Sequence, residues 1–171
     1  GTLVFDASGN GRHITMSGMN GTSGGWITST VGPALRFDYS NDYAITPANF
    51  PAFGLGDFTV AILFRADSVH HTNNCIVSQG TYNDGWVIYN FNDNWRFYIG
   101  GQYMTITAYE STSPEYSRLT WMFIGRANDQ MFVYRDGLSA QFTGDSISGA
   151  SVNMDATYGL RLGARGTSKA E

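Results

Sequence analysis

Few side chains in this 171-residue chain could do chemistry, and their placing does not favour it. Hydrolysing a glycosidic bond takes two facing carboxyl groups, one as acid and the other as nucleophile or base. The chain has three glutamates: Glu110 and Glu115 sit in the loop-like stretch Glu110-Ser-Thr-Ser-Pro-Glu115, and Glu171 is terminal. A serine nucleophile would be marked by a Gly-x-Ser-x-Gly elbow, which is absent. His13 lies in a polar N-terminal turn, and His70 and His71 are adjacent in a loop. Adjacent residues rarely ligate one ion, so that pair reads as solvated. Gly24-Gly25 and Gly54-Leu-Gly56 lack the following helix that a phosphate cradle needs. Cys75, the single cysteine, opens an apolar run without a basic neighbour and reads as a small buried hydrophobe. It can form no intrachain disulfide, and zinc lacks ligand partners at useful spacing. These residues predict a protein that is not an enzyme.

Composition sets the elements that hold them. There are 10 Lys and Arg against 14 Asp and Glu, a net charge of −4, and only 14% charged residues. No basic footprint exists to neutralise phosphates, so a nucleic-acid partner is not expected. Apolar runs fall far short of the ~20 residues of a membrane helix, so membrane insertion is not expected either. Gly (21), Tyr (10) and Phe (11) are abundant, which disfavours long helices and favours strands. Short alternating apolar runs, broken by Gly, Asn, Asp and Pro, predict an all-β sandwich in one domain.

The strongest strand is Phe58–Arg65. Two hairpins are predicted, one from 85–91 and 95–100 around Asn92-Asp93-Asn94, the other from 118–125 and 131–134 around Asn128-Asp129-Gln130. Shorter strands fit at 33–38, 42–46, 75–79, 104–109 and 158–162. Side chains alternate between faces of a strand, and arginines are taken to mark the open one. That parity sends Phe58, Phe64, Trp86, Trp95, Phe97, Phe132 and Tyr134 into a core. It leaves Leu63, Val87, Tyr89, Phe91, Tyr98, Met131 and Val133 outside, with Arg65, Arg96, Arg126 and Arg135 among them; Met122 and Ile124 go with Arg126. An open sheet face is normally more polar than this. Loops, a neighbouring domain or another subunit could cover it. Alternatively Arg65, Tyr89, Phe91, Arg96, Tyr98 and Arg135 form a ligand face, with Tyr and Arg stacking on and hydrogen-bonding a glycan.

The residues Pro33-Ala-Leu-Arg-Phe-Asp38, Asn41-Asp-Tyr43 and Phe58-Thr-Val60 through Arg65 resemble the laminin-G-like, concanavalin A-like jelly-roll family. So do Trp121, Val133-Tyr-Arg-Asp-Gly137, Leu160-Arg-Leu-Gly163 and the opening turn Asp6-Ala-Ser-Gly-Asn-Gly11. The ordered set covers nearly the whole chain. It implies a two-sheet antiparallel jelly-roll sandwich, one domain over 1–171, expected to belong to a longer chain. Family members usually continue into a closing strand, whereas this sequence stops at Glu171, which predicts either a shortened fragment or a strand donated by a partner. Glucanases of this fold carry a Glu-x-Asp-x-Glu cluster on one strand, and that cluster is absent here. Many members bind calcium through Asp, Asn and carbonyl oxygens. The resemblance makes Asp6, Asn10, Asp38 and Asp42 the candidate ligands, although Asp and Asn also cap turns; no cofactor is required.

Two roles follow. The first is a non-catalytic recognition or adhesion module, extracellular or at a cell surface, binding glycan or protein. The second is a structural subunit of a virion or surface appendage whose open sheet face packs on neighbouring subunits.

Overall fold

The computed structural model describes residues 2–19, 21, 24–38, 41–47, 50–51, 53, 56–65, 75–83, 85–91, 94–106, 119–128, 130–136, 138–139, 142–144 and 159–163. For 90, 91, 94, 106, 138, 139 and 142–144 only the backbone is considered. The described residues form strands and turns and no helix. The strands are β1 (Leu3–Val4), β2 (Ile14–Ser17), β3 (Gly25–Ser29), β4 (Gly32–Arg36), β5 (Tyr43–Ile45), β6 (Phe58–Phe64), β7 (Cys75–Gln79) and β8 (Trp86–Phe91). They continue with β9 (Asn94–Ile99), β10 (Gln102–Ile106), β11 (Thr120–Ala127), β12 (Gln130–Arg135), β13 (Leu138–Ser139), β14 (Phe142–Gly144) and β15 (Leu160–Leu162).

Among the described residues, nine strands form one sheet in the order β1-β2-β5-β15-β7-β8-β9-β10-β14, and four form a second, β13-β12-β11-β6. β3 and β4 make a separate ribbon. All pairings are antiparallel. The expected all-β antiparallel sandwich is what the chain forms. Its hairpins turn where the backbone can take positive φ. Gly100 and Gly101, at φ 52° and 84°, join β9 to β10, and Asn128, at φ 50°, follows β11. Two-residue hairpin turns need such residues, because their backbone twist then matches that of the strands.

The core lies between the two sheets. Val77, Trp86, Ile88, Trp95, Phe97, Ile99 and Met104 from the larger sheet meet Phe58, Met122, Ile124, Met131 and Val133 from the smaller. Phe53 joins them: its ring stacks on Phe58 at 4.6 Å and lies 5.8 Å from Trp86. Trp86 is fully buried, and its indole N–H donates to Gln79 Oε1 at 3.3 Å. The Gln79 amide in turn donates to the Pro51 carbonyl at 3.0 Å, so this polar pair enters the core with partners.

Face assignments hold on β6, β8 and β9 and fail on β11 and β12. Residues directly opposite in an antiparallel pair share a face. Val60 and Ile62 of β6 pack toward the core, and they pair with Ile124 and Met122. Ile124 then pairs with Val133, and Arg126 with Met131. Met122, Ile124, Met131 and Val133 are therefore core residues, and Phe132 and Tyr134 face outward. The error came from reading Arg126 and Arg135 as open-face markers. Both sit near strand ends on the core-facing rows, Arg126 buried and Arg135 half-buried. A long arginine stem can lie along apolar surface there, so its parity says nothing about solvent.

Candidate functional site

The residues expected to form one ligand face are divided between two sheets. Arg65 follows β6 and Arg135 ends β12, both on the four-stranded sheet. Tyr89, Arg96 and Tyr98 lie together on the outer face of the nine-stranded sheet, with Tyr89 directly opposite Arg96. Phe91 ends β8, and its side chain lies outside the described residues.

The Tyr–Arg group is real but not open. Tyr89 is 4% exposed and Tyr98 7%, packed with Val87, Cys75 and Tyr103 in a second apolar cluster behind the main core. Their hydroxyls lie 3.4 Å apart, and Arg96 Nη1 donates to the Tyr98 hydroxyl at 3.1 Å. The Arg96 guanidinium sits 4.7 Å from the centre of the Tyr103 ring, a cation–π contact. Tyr103 also stacks on Tyr98 at 4.9 Å. Tyr82 meets Tyr98 edge-on at 5.9 Å and is 40% exposed. Tyr89 and Tyr98 thus form the floor of this corner, while Tyr82, Arg96 and Tyr103 form its accessible rim. Sequence reasoning missed Tyr82 and Tyr103. Gly100-Gly101 held the signal for Tyr103, since a two-residue turn there places it opposite Tyr98.

The candidate calcium ligands do not converge. Asp6 uses both carboxylate oxygens inside its own turn: Oδ1 accepts the Ser8 N–H at 2.8 Å and Oδ2 the Arg12 N–H at 2.9 Å. The Ser8 hydroxyl, with those backbone N–H groups and a small contribution from His13, lowers the Asp6 carboxyl to about 2. Asn10 donates to the Ser8 hydroxyl at 2.8 Å in the same turn. Asp42 is buried and accepts the Asp38 N–H at 2.9 Å, which makes it a turn cap as well. β2 starts just after the Asp6 turn, and its far end, Ser17, pairs with Tyr43 beside Asp42. The two pairs therefore lie at opposite ends of β2 and do not fit a shared calcium cage. Among the described residues no group of three or more His, Cys, Asp or Glu could hold a metal.

None of the described strands contains Asp or Glu. Glu110, Glu115, Glu171, His70 and His71 lie outside the described residues. No helix among the described residues is long and apolar enough to cross a membrane.

No protein-family model and no curated protein sequence matches the chain. Among solved structures, one for botulinum neurotoxin type C is similar, with a TM-score of 0.54 and 10% identity over 99% of this chain. That toxin depends upon interaction with two ganglioside molecules to enter cells. This chain spans 38% of the length of that one. At this identity the likeness is one of fold.

Proposed function

We propose that the chain is a non-catalytic glycan-recognition module of the laminin-G-like, concanavalin A-like type, working outside the cell or on a cell or virion surface. The observation that carries this reading is Arg96, held between the Tyr98 hydroxyl and the Tyr103 ring beside exposed Tyr82. An aromatic ring next to a fixed guanidinium stacks on the C–H face of a sugar and bonds its hydroxyls. The fold likeness to a toxin that interacts with gangliosides supports the same reading. The absence of carboxylates from the described strands supports recognition over hydrolysis.

A glycan array tests this. Hits are expected, weakened roughly tenfold or more by Tyr82→Ala or Arg96→Ala; an array without hits overturns the reading. The module is proposed to need no metal, so its melting temperature should not move with EDTA, and a downward shift would restore calcium. The exposed side chains of Trp26, Ile27 and Val31 on the β3–β4 ribbon favour a second reading, a structural subunit that packs on its neighbours. An assembly above monomer in light scattering, without array hits, would favour it.

A further inference from the structure

The two sheets of the sandwich end, among the described residues, at β1 and β14 and at β13 and β6. Three of these edge strands are two or three residues long, and such shortness leaves another chain little to pair with. β6 is different. It runs for seven residues, Phe58–Phe64, without charge, proline or glycine, and among the described residues its one neighbour is β11. Its core-facing row is also unfinished. Val60, Ile62 and Phe64 are half-buried, whereas Met122 and Ile124 beside them on β11 are fully buried. A further strand beyond β6 would cover that row and take up the N–H and C=O groups that point away from β11.

The sequence of the strand specifies which further strand fits. From Asp57 to Arg65 it reads Asp-Phe-Thr-Val-Ala-Ile-Leu-Phe-Arg, nearly the same in chemical type from either end once the charge is inverted. Antiparallel pairing with a second copy, on a two-fold axis through Ala61, sets Phe58 against the partner's Phe64 and Val60 against the partner's Ile62. Residues directly opposite share a face, so on the core-facing row aromatic meets aromatic and β-branched meets β-branched. On the outer row Ala61, the smallest side chain of the strand, meets itself on the axis. Asp57 falls opposite the partner's Arg65, and Arg65 opposite the partner's Asp57, so both ends close on opposite charges. Both residues are exposed, and Asp57 is held in place, its Oδ1 accepting the Asn128 N–H at 3.1 Å. A slip by one residue would put the rows on the wrong faces. A slip by two sets neither charge against the other.

We propose that the chain forms a two-fold dimer in which β6 pairs with β6 of a second copy, joining the two four-stranded sheets into one. The dimer is closed, because each copy uses up its long edge and assembly stops at two. Main-chain hydrogen bonds carry the affinity of such a contact, and the side-chain rows set its register. One strand from each copy makes a small interface, so the dimer should dissociate on dilution. The Tyr–Arg corner lies on the other sheet and takes no part, so the pairing holds whether or not the chain binds glycan.

Light scattering over a concentration series, with hydrogen exchange alongside, tests this. The wild-type chain should pass from monomer to dimer as its concentration rises, and the outward amides of 58–64 should slow their exchange over the same range. Ala61→Lys places like charges on the axis from an exposed position, so it should stay monomeric with a wild-type far-UV spectrum. Arg65→Asp and Asp57→Arg should each dimerise roughly tenfold more weakly. An equimolar mixture of these two should restore the dimer, because opposite charges then meet at both ends. A chain that stays monomeric up to its solubility limit overturns the proposal, and protected 58–64 amides in that monomer would mean that another segment of the chain covers the edge. A dimer that survives Ala61→Lys overturns it by placing the contact elsewhere. Growth beyond two copies overturns the closed pairing, and charge reversals that stay apart on mixing overturn the register.

Discussion

The Asp6 turn shows how much a single side chain can organise. Its carboxylate gathers the N–H groups of Ser8 and Arg12, while its own backbone N–H donates to His13 Nδ1 at 3.0 Å. The His13 ring meets Phe5 edge-on at 5.3 Å. Hydrogen bonds to the charged form lower the Asp6 carboxyl from 3.8 to about 2. A depressed folded value means that the stabilisation is complete above about pH 4 and is lost as the pH falls toward 2. The melting temperature of Asp6→Asn should therefore lie below wild type at neutral pH, and the two curves should converge by pH 2. A constant gap across that range would mean that the turn does not depend on the charge.

At the level of strands and hairpins, much was legible and one pair was misread. On β6 and on the Trp86 to Ile99 hairpin the arginine parity gave the right faces, because Arg65 is exposed and Arg96 shares with Tyr89 and Tyr98 the row that points away from the main core. On β11 and β12 both rows are apolar, Met122, Ile124, Met131 and Val133 on one side and Trp121, Phe123, Phe132 and Tyr134 on the other. Alternation cannot choose between two apolar rows, and two arginines tipped the choice the wrong way. The register could have decided it, since pairing β11 to the correctly read β6 forces Met122 and Ile124 inward. The corner was half legible for a related reason: Tyr89, Arg96 and Tyr98 share a face by parity, whereas their burial depends on what stacks over them. Gly125 gives a test at this scale. A Cβ there meets the Phe58 carbonyl as well as the Phe132 ring. Gly125→Ala should therefore destabilise the domain by about 1–3 kcal/mol, read as a lower urea midpoint. A neutral result would show that β6 and β11 can separate locally.

At the largest scale, the nine-stranded sheet carries the main core on one face and the tyrosine cluster on the other. β8 and β9 supply both: Trp86, Ile88, Trp95 and Phe97 go to the first, and Val87, Tyr89 and Tyr98 to the second. Phe97 is fully buried at the centre of this arrangement. Phe97→Ala should cost about 3–5 kcal/mol in urea unfolding, and a cost below ~1 kcal/mol would mean that the layers are not joined through that strand. The same sheet has an unusual seam. β15 lies between β5 and β7, pairing with each, and the Leu160 N–H donates to Thr46 Oγ1 across 114 residues of sequence. At a synthesis rate of about 5–20 residues per second, roughly 6–23 s separate the emergence of those two residues from a ribosome. Once β7 has emerged, and until β15 follows, β5 and β7 have no strand between them, and each presents unpaired N–H and C=O groups on that side. β15, the last of the described strands, fills that gap, so a nascent chain has its greatest need of chaperones just before residue 160 appears.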